Sequence, residues 1–127
     1  MISALFNQPN YQAAQKLLDG TVLRHEAIAS NLAHLESPHY RRIDLAPSFQ
    51  AAMREALASG NSGQIASVQP ELAIDTTAIS SRRDGNNVQL ESELVQLNKN
   101  FLAHTLETQL ITGNLLRLRL AITGRPT

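Results

Sequence analysis

The chain has 127 residues, with 11 basic and 11 acidic side chains and neither cysteine nor tryptophan. That length holds one domain, the balanced charge offers no field to recruit nucleic acid, and the missing thiols exclude disulfides, thiolate catalysis and cysteine-based zinc sites. Three Phe and two Tyr give little material for a ligand pocket, whereas abundant Leu and Ala suit long helices.

The N-terminal stretch Met-Ile-Ser-Ala-Leu-Phe-Asn lacks a basic start, an apolar core and a small-residue cleavage site. No apolar run reaches the roughly 18 residues of a bilayer span. The expectation is no direct membrane insertion and, if the protein leaves the cytosol, export without a cleaved signal peptide. A first helix is predicted over 10–37. Asn10 after Pro9 is its N-cap, and Tyr11, Ala14, Leu18, Thr21, His25, Ile28, Leu32 and Leu35 step along it by threes and fours. Pro38 stops it by forcing Ser37 toward extended geometry. Off this stripe, Ala13, Gly20 and Ala27 recur every seven residues, a small-residue track that permits close approach of a neighbour.

Residues 38–86 read as a variable connecting segment. Pro47, Phe49, Ala52, Met53, Ala56 and Leu57 predict a short amphipathic helix with Pro47 in its first turn. Ser59-Gly60-Asn61-Ser62-Gly63 reads as a flexible linker. Val68 to Thr77 predicts a brief strand or extended arm, at an edge because of Pro70. A second long helix is predicted over 87–124. The turn Asp84-Gly85-Asn86-Asn87 precedes it, Asn86 with Gln89 fits a capping box, and Glu91 and Glu93 complement the helix N-terminus. Arg117 and Arg119 in the last turns, then Gly124 and Pro126, mark its end.

The second helix carries Leu94, Leu97, Phe101, His104, Thr108, Ile111, Leu115 and Leu118 at the same spacing as the first. Folded back antiparallel, the two stripes match: Tyr11 with Leu118, Ala14 with Leu115, Leu18 with Ile111, Thr21 with Thr108, His25 with His104, Ile28 with Phe101, Leu32 with Leu97 and Leu35 with Leu94. The predicted fold is therefore all-α, two long terminal helices paired as an antiparallel coiled coil, with a short helix and an irregular or β-like segment between them. Val95, Leu102, Leu106, Gly113, Leu116 and Leu120 form a second apolar stripe that the first helix cannot also cover. Other subunits must cover it, which makes Val95, Leu102, Leu106, Leu116 and Leu120 expected subunit contacts.

No residues for catalysis, a cofactor or a metal stand out. His34 and His39 flank a Pro turn, and His25 with His104 lacks a carboxylate in its layer, a poor zinc site. Arg41-Arg42 and Arg82-Arg83 fit either an acidic neighbour or a solvated turn.

The run Ala27-Ile28-Ala29-Ser30-Asn31-Leu32-Ala33-His34-Leu35-Glu36-Ser37-Pro38-His39-Tyr40-Arg41 resembles the signature of bacterial flagellar rod, hook and related axial proteins, with His39 where that turn has Gly. Asp84-Gly85-Asn86-Asn87-Val88 before an acidic, Leu-rich helix is similar to the short proximal rod proteins of the basal body, the B-type subunits. The resemblance implies a structural, torque-transmitting rod subunit, exported unfolded through the flagellar type III apparatus. Its implied partners are copies of itself, other rod subunits, and the membrane-ring and export-gate proteins at the rod base. It also implies that Asn31, Pro38 and Tyr40 form the helix-end turn and Asp84, Gly85, Asn86 and Asn87 the start of the second helix. A reading from another class is a soluble coiled-coil adaptor or export chaperone that binds one partner helix, and stoichiometry separates the two: open growth against a closed complex.

Overall fold

Pro9 opens a long helix at a position where its absent N–H is not needed, and among the described residues six elements follow one another. They are α1 (Pro9–Ala33), β1 (Ile43–Leu45), α2 (Pro47–Ser59), α3 (Ser62–Ser67), β2 (Leu72–Ile74) and α4 (Leu90–Thr123). This computed structural model describes residues 8–80 and 82–124. The predicted cap Asn10 lies inside α1, with Gln8 at the cap position and no side-chain bond there. The helix ends about a turn before the expected end because the carbonyls of His34, Leu35 and Ser37 are captured by Asn86 rather than continuing the ladder.

The middle segment is more ordered than its composition implies. Pro47 sits in the first turn of α2, and Gly60 closes that helix in the left-handed region at φ 67°. Asn61 then caps α3, its Oδ1 accepting from Gly63 N–H at 2.9 Å and Gln64 N–H at 3.3 Å. The expected linker is thus a stop and a start back to back. β1 and β2 pair antiparallel, Ile43 with Ile74, Asp44 with Ala73 and Leu45 with Leu72. Three residues are too few to show alternation in sequence, which is why β1 was not foreseen.

These pieces fold onto α1. Ala13, Leu45, Phe49, Met53, Ala56, Ile65 and Val68 form the buried core, flanked by Leu17, Leu23 and Ala52. Gly20 shows why small residues lie there: a Cβ on it would meet Phe49 Cε1 at 2.8 Å. The small-residue track is therefore filled from within the chain, around Ala13 and Gly20, by α2 and its neighbours, and not by another subunit.

The terminal helices do run antiparallel, with a different seam from the predicted one. Thr21 meets Glu107 and Asn100, and Asn31 meets Glu93. Relative to the expected pairing of Thr21 with Thr108, α4 has slid by about one turn and rotated by roughly 100°, one residue's worth of helix. Its buried positions are Glu93, Asn100 and Glu107, spaced by seven. Leu94, Phe101, His104, Thr108 and Leu115 are exposed, while Leu97, Ile111 and Leu118 are half-buried. Of the positions expected in the first helix's half of the seam, Ala14, Thr21 and Ile28 are buried, Leu18, Leu32 and Leu35 are half-buried and His25 is exposed. The physical reason is that apolar side chains occur on nearly every face of α4, so periodicity alone cannot select the inward one. Buried hydrogen bonds select it instead.

Candidate functional site

Two features stand out: a polar clasp where α1 ends and α4 begins, and the uncovered flank of α4. The clasp starts from Asn31, fully buried in the last turns of α1. Its Nδ2 donates to Ile43 O at 2.8 Å and to Glu93 Oε2 at 3.3 Å, and its Oδ1 accepts from Ile43 N–H at 3.0 Å and the Tyr40 hydroxyl at 3.2 Å. One amide thereby holds the outer edge of β1 as a neighbouring strand would. Tyr40 stacks its ring on His34, with centroids 4.4 Å apart, and its hydroxyl lies 3.0 Å from that of Ser30.

Below this lies Arg42. Its Nε donates to Glu93 Oε1, and its Nη1 donates to Asp44 Oδ2 at 2.9 Å and Asp75 Oδ2 at 2.7 Å. Burial favours loss of its proton, but the bonds to Glu93 and Asp44 outweigh that and raise its pKa further. Asp75 is likewise partly desolvated, yet the Thr77 hydroxyl and N–H together with Arg42 hold its carboxyl below the usual range. Glu93 is 0 % exposed, so Arg42 is what makes its charge tolerable.

The segment before α4 closes the clasp. Asn86 is fully buried; its Nδ2 lies 2.7 Å from His34 O, 3.2 Å from Leu35 O and 2.8 Å from Ser37 O, and its Oδ1 accepts from Val88 N–H at 2.8 Å. It therefore caps the end of α1, and the expected capping box on α4 does not form: Gln89 holds that cap position without a side-chain bond to the helix backbone. Asn87 Oδ1 accepts from Arg42 N–H at 2.6 Å and its Nδ2 donates to Ala78 O at 3.2 Å. His39 takes φ 61°, the left-handed geometry that Gly enters freely, and its N–H donates to Asp84 O at 2.8 Å. Gly85, at φ 77°, leaves only 3.1 Å between a built Cβ and His39 Nδ1. Asn31, Tyr40, Asp84, Gly85, Asn86 and Asn87 are thus brought together in one structure, next to the exposed Pro38. Of the arginines, Arg42 is consumed here, Arg82 donates to Leu35 O at 2.6 Å and pairs with Asp84 at 3.0 Å, and Arg41 and Arg83 stay exposed.

Further along the seam, Thr21 Oγ1 lies 2.9 Å from both Leu18 O and Glu107 Oε2. A hydroxyl has one proton, so both bonds form together only when Glu107 is protonated and donates to Thr21. Burial pushes the Glu107 carboxyl up, against the opposing effects of Thr21, His104 and Arg24. With its folded pKa above the unfolded one, this group's stabilisation is present at pH below the ordinary glutamate value of 4.5 and is lost as pH rises through the folded pKa. Glu107→Gln, which imitates the protonated acid, is expected to unfold at a higher temperature than the parent at pH 7 and at the same temperature near pH 4. Thermal circular dichroism at the two pH values checks this, and a gain independent of pH would refute it.

The flank of α4 away from α1 is apolar and open. Leu102 is 69 % exposed, Leu106 59 %, Val95 50 %, Leu116 45 % and Leu120 41 %. Phe101, expected in the seam, is 69 % exposed and borders α1 from the side of α4 instead of facing into the contact. The interior side is polar and the exterior side leucine-rich, the reverse of a helix that completes its own core. The buried seam positions Asn100 and Glu107 were missed in sequence, although their seven-residue spacing from Glu93 was a signal in plain view. Among the described residues no three His, Asp or Glu converge as metal ligands, and no helix is long and apolar enough to cross a membrane.

No protein-family model matches the chain. Among curated proteins it is similar to the flagellar basal body rod protein FlgB of Borrelia hermsii, with 25% identity over 115 residues that cover 76% of this chain and 83% of the relative. That relative is a structural rod protein, not an enzyme.

Proposed function

We propose that this chain is a structural subunit of the bacterial flagellar basal-body rod, which works by packing its terminal helices against other axial subunits and against copies of itself. The observation that carries the reading is the outward flank of α4, where Val95, Leu102, Leu106, Leu116 and Leu120 are all exposed over a helix of 34 residues. Isolated soluble proteins rarely leave so long an apolar strip in water; covering it on assembly releases on the order of 25 cal/mol per Å². The similarity to a rod protein supports the place of assembly, and the clasp supports the mechanics. Asn31, Arg42, Asn86 and Glu93 tie the two helices at one end, so a force on either is shared by both, as a torque-bearing shaft requires. Export through the flagellar apparatus and contacts with ring and export-gate proteins at the rod base are part of the same proposal.

The test is growth of light scattering when the purified chain is mixed with candidate axial partners. Open-ended growth is expected, and Leu102→Glu or Leu106→Glu is expected to abolish it while leaving the helical content of the subunit unchanged. Growth unaffected by either substitution would overturn the assignment of this flank. A complex that closes at fixed stoichiometry would favour the adaptor instead.

A further inference from the structure

Two antiparallel helices leave a furrow along each side of their contact; among the described residues the middle segment packs beside one of them and leaves a cleft of about 440 Å³ toward its end. The middle segment occupies the side of α1 that carries Ala13 and Gly20. The other furrow is open, with a volume of about 780 Å³, and is lined by Val22, His25 and Glu26 from α1 and by Leu97, Asn100 and Phe101 from α4. Its walls are apolar: Val22 is 48 % exposed and Phe101 is the most exposed aromatic of the helix pair.

Its floor holds an unmet acceptor. Asn100 is 5 % exposed and its Nδ2 donates to Thr21 O at 2.8 Å, but its Oδ1 is buried with no partner. A buried carbonyl left in this state is unfavourable, so the occupant of the furrow should bring a donor. The rim carries Glu26, exposed and without an ion pair among the described residues. The furrow thus asks for an apolar ridge flanked by cationic donors.

One segment of this chain has that character. Near the end of α4, Leu116 and Leu120 lie one turn apart and remain exposed. By helical geometry Arg117 and Arg119 fall on either side of that ridge. Neither arginine has an acidic partner among the described residues. This stretch also lies where α1 runs out, since Asn10 and Arg117 border the same cleft between the two helices.

We infer that the open furrow receives the C-terminal part of α4 from a second copy of the chain. Leu116 and Leu120 pack between Val22, Leu97 and Phe101, while Arg117 or Arg119 serves Glu26 and the Asn100 Oδ1. The inference rests on the reading of the chain as an assembling subunit and names one of its contacts. Donor ridge and receiving furrow are different patches, so the contact is heterologous and propagates as an open chain.

That asymmetry sets the experiment. Phe101→Glu disables the furrow and Leu120→Glu disables the ridge; both side chains are exposed, and circular dichroism verifies that each variant keeps the parental helicity. Sedimentation of the full chain is expected to show self-association weakened by roughly tenfold or more in each variant alone. An equimolar mixture of the two retains one intact contact and should give a one-to-one dimer that does not grow further. Chains that persist in either variant alone, or a mixture that stays monomeric, would overturn the inference. If the mixture stays monomeric while the parent protein still co-assembles with axial partners, the furrow contact fails and the rod reading stands. If the parent neither self-associates nor co-assembles, both fail.

Discussion

Replacement of Arg42 by methionine is expected to destabilise the subunit by about 3 to 5 kcal/mol, the range for breaking one partner out of a buried ion pair. The fully buried Glu93 carboxyl would lose its guanidinium partner and retain only Asn31, and Asp75 and Asp44 would lose their shared cation. Methionine fills much of the arginine stem's volume, so the loss reads out charge rather than a cavity. The paired change Arg42→Met with Glu93→Leu is expected to recover more than half of that loss, because it leaves no unpaired buried carboxylate on α4. Urea unfolding followed by circular dichroism measures both. A single variant within 1 kcal/mol of the parent, on the order of an exposed ion pair, would mean that the network is solvated and that the clasp is not what joins β1 to α4.

Asn86→Ala is the second large effect, about 1 to 3 kcal/mol. The side-chain amide closes α1 by serving the carbonyls of His34 and Ser37, and its oxygen holds Val88 N–H. Alanine leaves the buried Val88 N–H without a partner, at about 1 to 3 kcal/mol before relaxation, and removes the shorter of the two bonds at His34 O and Ser37 O, which keep the N–H of Ser37 and Tyr40. Leu35 O keeps Arg82. The loss should be concentrated where α1 meets α4, and hydrogen exchange is expected to show faster exchange over residues 30–40 than in the parent. Uniform acceleration through α2 and α3 would instead point to a global change in the core.

Both effects concern residues whose importance was visible only in part from the chain. The two long helices, their antiparallel sense and the Pro47 helix are legible because each rests on a local rule: periodicity, a proline at a helix start, a proline that stops a helix. The turn residues Asn31, Tyr40 and Asp84 to Asn87 were legible as a pattern, but not as a single clasp. Asn86 shows why. Its own neighbours suggest a cap for the helix that follows, whereas its bonds go to carbonyls 49 to 52 positions earlier. The seam failed for a related reason. Apolar spacing assigned Leu94 and Phe101 inward, yet the winning face is the one whose polar groups find partners: Glu93 with Arg42 and Asn31, Asn100 with the Thr21 carbonyl, Glu107 with the Thr21 hydroxyl. The seven-residue spacing of Glu93, Asn100 and Glu107 marks one face, but the partners that make it the inward one lie far away in the sequence. His39 is the converse case: a residue that disfavours positive φ holds it at 61°, kept there by the bond of its N–H to Asp84 O.

With the polar side of α4 spent on its own subunit, the leucines are free for neighbours, and this division of faces is the central claim. Because the chain contains no cysteine, a single Leu102→Cys substitution gives a clean probe. Its maleimide labelling rate should be that of an exposed thiol in the dilute subunit and should fall by roughly tenfold or more once the subunit is assembled with axial partners. Labelling equally fast before and after assembly would contradict the claim that this flank of α4 is where subunits meet.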